Sequence, residues 1–595
     1  MEPAEGSFVP ILISGPQTAP IEGTLATWPI GSFIPFATRV PTGPQDFAVT
    51  LRVRVTDQNG QRGEARKSIF LHHDPDVRAG SPLNLGASGE SSPALVDLDG
   101  NGADEIILAT ADGMVFALRG DGSLLPGWPV ATNLLPGLDP ADPRNHLGAP
   151  AYRAGGVGSD FHASIVASVA VGDVDGDGES EVIAADLEGK VYAWKVSGRL
   201  LPGFPVSTDP QFSRPEDRNP NNIVHQGIFA APALGDIDGD GVRDILVAAM
   251  DQHVYVWKGN GALVPGWPAL ARDLSEAEPK GARIISSPAL GDLDGDHSLD
   301  VVVGTNEVYE VSGRVYAFRS NGTRLPGWPV TVPTLYPEIL PLVGEGVAAA
   351  PALADVDGDG RLEVAIAAVA GPGVLYRADG SRFVALESSA ARFGEGSSAT
   401  DGPTFFALAS GAFGDLDGDG RLEYTAGTSG ARYALSLLVT GLRVSFEHHL
   451  SAWHARSGAF VSFFPRVVED AQFFVNPAIA DLDGDRRPEV IAGTGGYLVH
   501  AFDRLGREPS GWPKFTGGWL IASAAVGDLD GDGFLEVVVN TREGYLYIWQ
   551  TNGPTRVGGR PSVQWQKFHH DQWNTGNFHT PLPARSGATR LNGSP

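Results

Sequence analysis

"VGDVDGDGESEVIAADLEGKVYAW", residues 171–194, decides how the chain is read. Asp173, Asp175, Asp177, Glu179 and Glu181 occupy every second position of a nine-residue run, and apolar sequence follows at once. The run recurs. The pattern D-x-D-G-(D or N)-x-x-x-(D or E) begins at Asp97, Asp173, Asp236, Asp292, Asp355, Asp415, Asp481 and Asp528. Eight copies, about 47 to 76 residues apart, indicate a repeat architecture.

Each copy has the same surroundings. A short apolar segment precedes the acids, as in "SSPALVD", "AAPALGD" and "VNPAIAD". A β-branched run such as "EIILAT", "DVVVGT" or "EVVVNT" follows, apolar on both faces as befits a strand stacked between other sheets. A Gly turn then leads to an alternating aromatic strand, for example "GMVFAL", "GKVYAW" or "QHVYVW". A second turn and a closing segment, "LPGWPV" at 125–130 and its relatives, complete the unit. Four short strands per repeat, eight times over, predict an all-β fold: an eight-bladed β-propeller of four-stranded antiparallel blades, with seven blades as the alternative.

The acids have a chemical reading. Side chains at positions 1, 3 and 5, a main-chain carbonyl at 7 and an acid at 9 present hard oxygen ligands of the kind calcium gathers six to eight at a time. The glycine at position 4, usually joined by one at 6, lets the backbone curl around a common point. Asp-Gly pairs also make good turns, but eight sets of acids in register repel one another unless something cationic sits between them. An EF-hand would carry its bidentate acid at position 12, where this chain has Leu108 or Ala184 inside a strand. The candidate ligands are therefore Asp97, Asp99, Asn101 and Glu105 in the first loop and Asp173, Asp175, Asp177 and Glu181 in the second. The third has Asp236, Asp238, Asp240 and Asp244, and the fourth Asp292, Asp294, Asp296 and Asp300. The fifth has Asp355, Asp357, Asp359 and Glu363, and the sixth Asp415, Asp417, Asp419 and Glu423. Asp481, Asp483, Asp485 and Glu489 form the seventh, and Asp528, Asp530, Asp532 and Glu536 the eighth. Up to eight Ca2+ are expected. Asn101 lowers the charge of the first loop, and His297 and Arg486 stand at position 6 where glycine is usual, which predicts strain.

The unit "PALGDIDGDGVRDILVAAMDQHVYVW" at 232–257 and its seven relatives resemble FG-GAP/VCBS repeats, the blades of the propeller in integrin α-subunit heads and in many bacterial surface and secreted proteins. The resemblance spans roughly residues 83 to 578 and implies that the acids named above are calcium ligands. For function it implies less, because related eight-bladed propellers include rhamnogalacturonan lyases.

Composition agrees with a folded acidic protein. Against 71 Asp+Glu stand 43 Lys+Arg, for a formal charge of −28, and no basic stripe is present, so a nucleic-acid partner is not expected. With no cysteine there are no disulfides, thiolate metal sites or cysteine nucleophiles. No apolar stretch reaches about 18 residues, so no membrane span is expected. No signal peptide is visible at residue 1, and the chain reads as the continuation of a larger exported protein.

Residues 1–78 read as part of an Ig-like or PKD-like β-sandwich, with "DFAVTLRVRVTD" and "EARKSIFLHHD" as a hairpin around "QNG". Residues 79–580 are the propeller, and 581–595 a disordered tail. "VQWQKFHHDQWNTGNF" near the C-terminus is expected to supply the outer strand of the last blade. Trp194, Trp257 and Trp549 close aromatic strands and are expected to pack between blades, as are Trp128, Trp267, Trp328 and Trp512.

Antiparallel topology puts the acidic turns on one face and the blade-to-blade connections on the other. The long segments 131–167, 207–227, 270–284, 331–346, 385–409 and 429–450 fall on that second face, where recognition is expected. Tyr152, Phe161 and Tyr336 are its candidate aromatic contacts. Catalytic signals are weak: "LHHD" at 71–74, "EHHL" at 447–450 and "FHHD" at 568–571 do not fit H-E-x-x-H, and nothing pairs Asp139, Asp142 and Glu216. The expected function is a monomeric, extracellular or cell-surface propeller for adhesion, binding a protein or polysaccharide on the long-loop face, with calcium structural and no catalytic residue. The alternatives are a polysaccharide lyase and a non-catalytic module of a larger secreted enzyme.

Overall fold

Each acidic run lies between two short strands whose sequence makes them a buried pair. In the computed structural model of the protein, "ALV" at Ala94–Val96 pairs with Glu105–Ala109, which pairs with Met114–Leu118 and that with Val130–Ala131. The second strand is buried along its whole length, as its apolar character on both faces requires. The structure describes residues 8–12, 14–16, 23–24, 26–30, 40–135, 137, 145, 147–154, 161–215, 223–224, 226–272, 283–306, 312–333, 346–368, 373–387, 403–405, 409–430 and 447–582.

The same four-strand order repeats with inner strands at Ala94–Val96, Ala170–Gly172, Ala233–Gly235, Ala289–Gly291, Ala352–Ala354, Gly411–Gly414, Ala478–Ala480 and Ala525–Gly527. The fold is an eight-bladed β-propeller. Helix among the described residues amounts to Pro150–Arg153, a 3-10 turn at Pro210–Phe212 and a single 3-10 residue at Ile30. Blade six gains a fifth strand from Pro403–Phe405, which pairs with Glu423–Gly430.

Apolar side chains of adjacent blades mesh into a series of cores. The tryptophans do what the sequence predicts. Trp194, Trp257 and Trp549 are buried, and the indole N–H groups of Trp128, Trp267 and Trp328 reach carbonyls of the following blade, donating to Val196, Ser320 and Ala378. Burying a large ring while satisfying its one polar atom joins the blades both by area and by register.

Closure corrects one expectation. The outer strand of blade eight is Leu83–Asn84, which pairs with Tyr545–Pro554, and Arg78 N–H extends the edge to Ile548 O at 2.9 Å. The C-terminal segment goes elsewhere. Val563–Trp565 adds to the inner strand of blade seven, and the chain then runs through the centre of the ring. Its carbonyls at Gln572, Trp573, Thr575 and Gly576 accept from Val171, Leu234, Leu290 and Leu353 of four successive blades at 2.8 to 2.9 Å. Gln566 O accepts from Val526, and Gln566 Nε2 donates to Leu95 O. Gln564 Oε1 accepts from Asp415 N–H, and Ser562 O from Asp481 N–H. All eight blades are thus tied to one segment. The physical reason is that an inner strand has a second edge whose N–H groups need acceptors; an outer strand at blade eight would leave those of the whole ring unmet.

The predicted hairpin forms: Ala48–Thr56 pairs with Arg62–Phe70. Phe47 and Phe70 pack against Leu498 and Phe515 of blade seven. Buried Lys514 meets Asp74 at 3.1 Å and also contacts Asp76. No further sandwich strand occurs before residue 48 among the described residues.

Candidate metal centres

The eight acidic turns share one hydrogen-bond scheme, except that in the first Asp97 accepts from Gly102 alone and its Oδ1 is left without a partner. At position 1 the carboxylate accepts from backbone N–H groups at 4 and 6: Asp173 Oδ1 from Gly176 at 2.7 Å and Oδ2 from Gly178 at 2.9 Å. The position 3 Oδ1 accepts from the N–H at 5, as Asp238 does from Asp240, and the position 5 Oδ1 from the N–H at 7, as Asp240 does from Val242. The position 9 acid accepts from the N–H at 2 through one oxygen, as Glu489 Oε2 does from Leu482 at 2.8 Å. Each acid at 3, 5 and 9 thereby spends one oxygen on shaping the turn and keeps the other uncommitted to the backbone. Three carboxylates have ligand oxygens within 4.8 Å of one another in each of Asp97, Asp99, Glu105; Asp173, Asp175, Glu181; Asp236, Asp238, Asp244; Asp292, Asp294, Asp300; and Asp355, Asp357, Asp359; three more such groups exist among the described residues.

Burial distinguishes the positions. Glu105, Glu181, Asp244, Asp300, Glu363, Glu423, Glu489 and Glu536 are all buried, while the acids at 3 and 5 face solvent to varying degrees. Loss of hydration, aided by neighbouring carboxylates, pushes Glu105, Asp300, Glu363 and Glu536 up to about 7 and Asp244 to about 6. Glu489 is pushed highest, to about 9, by burial and then by Asp483, Asp481 and Asp485. A buried acid surrounded by acids needs either a proton or a cation.

The donor set fits a hard divalent ion. In loops two to eight every inward group is oxygen, and Asp97 Oδ1 and Asp300 Oδ1 are buried without a hydrogen-bond partner, which an ion between the acids would satisfy. The first loop fits less well. Asn101 Oδ1 accepts from Ala103 N–H, so the group turned toward Glu105 Oε1 is its Nδ2, at 3.4 Å, a donor where the other loops bring an oxygen. The strain expected at position 6 is present: His297 and Arg486 hold φ of 69° and 73°, beside 89° and 90° for Gly178 and Gly241.

One component was missed in reading the loops. Lys195 Nζ lies 2.7, 2.6 and 2.9 Å from Asp175, Asp177 and Glu181. Lys258 contacts Asp238 and lies 2.8 Å from Asp240. Arg119 stands 3.6 Å from Asp99, Arg319 3.0 Å from Asp294 and His454 3.0 Å from Glu423. The signal is in the sequence: a basic residue directly follows the third strand's closing aromatic or leucine in "VFALR", "VYAWK", "VYVWK", "VYAFR", "GVLYR" and "SAWH". Blades seven and eight have Asp503 and Gln550 there instead, and in blade eight Arg78 supplies the cation, 2.9 Å from Asp530 and 3.1 Å from Glu536.

The opposite face carries an axial cavity of about 390 Å³. Phe229, Phe473, Phe474 and Trp519 wall it, Phe568 of the C-terminal segment lies in its lining, and Glu90 and Arg542 are its charged lining residues among the described ones. Of the predicted loop contacts, Phe161 is exposed, whereas Tyr336, Asp139, Asp142 and Glu216 lie outside the described residues, as do 583–595 of the tail. The histidines of the two later pairs have other partners or are buried. His448 meets Ser429 and His449 meets Glu447, while His569 and His570 are buried in the axial segment.

The profile of the FG-GAP-like repeat family matches residues 236–303, 292–366, 355–425 and 481–539. No curated protein matches the sequence. Among solved structures, a europium-containing methanol dehydrogenase is similar at 12% identity and a TM-score of 0.48, over 78% of this chain and 85% of that one. A quinohemoprotein alcohol dehydrogenase from Comamonas testosteroni is similar at 12% identity and 0.49, over 81% and 77%. Saccharomyces cerevisiae Sqt1 is similar at 11% identity and 0.45, over 80% and 99%. Likenesses this distant carry no statement about activity.

Proposed function

From a chain that carries FG-GAP-like repeats on an eight-bladed propeller, we propose a calcium-stabilised binding protein of the cell exterior, taking a protein or polysaccharide ligand on the face opposite the acidic turns. The observation that carries the calcium assignment is the shared loop scheme: one buried acid per turn, with inward oxygens that the turn itself leaves uncommitted. The ligands would be the acids at positions 1, 3, 5 and 9 of each loop. The ion would neutralise them and lock each hairpin, a structural role.

An exterior location is the setting in which such loops would fill. With Kd on the order of 10⁻⁴ M, as in extracellular modules, millimolar calcium stabilises by about 1.4 kcal/mol per site. At cytosolic calcium the gain would vanish and the repulsion remain. Among the described residues no helix is long and apolar enough to cross a membrane.

Recognition rather than chemistry is favoured by the makeup of the axial cavity, whose walls are aromatic and whose described charges, Glu90 and Arg542, stand 3.9 Å apart as an ion pair. The test is incubation of the purified chain with arrays of polysaccharides and matrix proteins, in calcium and then in chelator, scoring retention and release of unsaturated sugars. Calcium-dependent retention without products is expected; release of products would move the protein to the polysaccharide lyases.

A further inference from the structure

We propose that in the second and third acidic loops the chain's own lysine ammonium takes the position a divalent ion would hold, so that these loops bind calcium at least about tenfold more weakly than the seventh. The inference rests on the calcium reading above and divides the eight loops by what already sits in them.

Lys195 is the clearest case. An ammonium carries three N–H donors, and Nζ has three carboxylate oxygens around it, Asp175 Oδ2, Asp177 Oδ2 and Glu181 Oε1, at 2.6 to 2.9 Å. These are the inward oxygens of positions 3, 5 and 9, the ones that the backbone of the turn does not use. The side chain is only 11% exposed, so the charge is held among the acids rather than waving beside them. Lys258 makes two of the three contacts, with the Oδ2 atoms of Asp238 and Asp240, and is 31% exposed, a shallower seat than that of Lys195.

Arginine at the same place does less. The planar guanidinium of Arg319 pairs with Asp294 at the rim, whereas the compact ammonium of Lys195 also lies 2.9 Å from the buried Glu181 Oε1. Loop seven has no such tether. Asp503 replaces the basic residue and is engaged with Arg507 of its own turn; the loop's own Arg487 meets Asp485 at 3.8 Å on the exposed rim, and among the described residues no basic side chain pairs with the buried Glu489.

The consequence is competition. A tethered cation is always present at its site, so a metal binds only to the fraction of molecules in which the lysine is out, and its apparent affinity falls by that fraction. A lysine seated nine times in ten weakens the loop about tenfold.

The test is calcium bound per chain, by equilibrium dialysis, for the whole wild-type protein and for Lys195→Met and Lys258→Met, with folding in calcium confirmed by circular dichroism. Each variant is expected to convert one weak site to a tight one, a gain of at least about tenfold at that loop. Equal numbers and affinities in all three proteins would overturn the assignment to lysine while leaving the calcium reading intact; no binding by any of them would overturn both. A second measurement needs no variant. Amine acylation of wild-type Lys195, read by mass spectrometry, is expected to stay as low in calcium that just fills the tight sites by dialysis, where the melting shift is already present, as in chelator. Reactivity that rises in step with that shift would show the lysine displaced and the proposal wrong.

Discussion

The acidic loops and the axial segment hold the propeller in opposite ways. Each loop is shaped locally: the hydrogen bonds within its turn run between residues two to seven apart, and a cation, where one reaches it, comes from its own blade or, in blade eight, from Arg78. The axial segment is single and global, reaching Leu95, Val171, Leu234, Leu290, Leu353, Asp415, Asp481 and Val526 within about fifteen residues. Redundancy therefore protects the loops and not the axis. Losing one loop's ion should weaken one hairpin, whereas losing the segment removes acceptors from the inner edge of the whole ring.

The largest effect tests that contrast directly. Ending the chain after Pro561 strips partners from at least four fully buried backbone N–H groups, at about 1–3 kcal/mol each, and that loss exceeds what a marginally stable fold tolerates. The expected outcome is no cooperative thermal transition by circular dichroism, even in calcium. A truncated chain that melts like wild type would show the blades to be self-sufficient.

Next in size is the collective effect of the loops, read through pH. Without metal, the buried position 9 glutamates have their ionisation raised above the ordinary 4.5, to about 7 at Glu105, Glu363 and Glu536 and about 9 at Glu489. A raised acid favours the fold while protonated. Its contribution is complete below about pH 4.5 and is lost as pH rises through the folded value. In chelator, Tm is therefore expected to fall between pH 5.5 and 8. In millimolar calcium the ion holds the same acids in their charged form, and protons compete with it, so Tm is expected not to fall over that interval. The gap between the two melting curves should widen with pH; a constant gap would mean the buried acids are not the ligands.

The contrast also explains what the sequence discloses. Blade number, strand order and loop positions are legible because "DLDGDG" and its flanking strands occur eight times, and repetition turns a weak local signal into a strong one. The hairpin at 48–70 shows in its alternation and its "QNG" turn. The path of "VQWQKFHHDQWNTGNF" does not show, because it occurs once and its hydrogen bonds depend on where eight other strands have been carried by the ring. Its composition hints only in hindsight: Gln566, Lys567, His569, Asp571 and Asn574 are all buried, a polar set that no outer strand would bury. The lysines in the loops stand between these cases. Their position is periodic and visible, but that Lys195 turns inward to three acids while Arg377 lies over Phe383 instead depends on side-chain shape and packing.

The smallest predicted effect returns to a single loop. Position 6 of the turn needs positive φ, which glycine adopts freely and other residues adopt at a cost of about 1–2 kcal/mol. His297 and Arg486 meet that cost at 69° and 73°, and neither side chain is essential to the turn, since the N–H that bonds Asp292 or Asp481 belongs to the backbone. Replacing either by glycine relieves the strain but frees the unfolded chain by about 0.5–1 kcal/mol, so the net gain should be up to about 1 kcal/mol. His297→Gly is the cleaner variant, because the ring is almost fully exposed and its approach to Asp292 is at 3.7 Å. Denaturant melts of the two glycine variants in saturating calcium, with unchanged slope, check the sign. A loss of stability in both would mean that the loops are set less by their backbone turns than by the charges at their mouths, and would extend to all eight the balance that Lys195 strikes in the second.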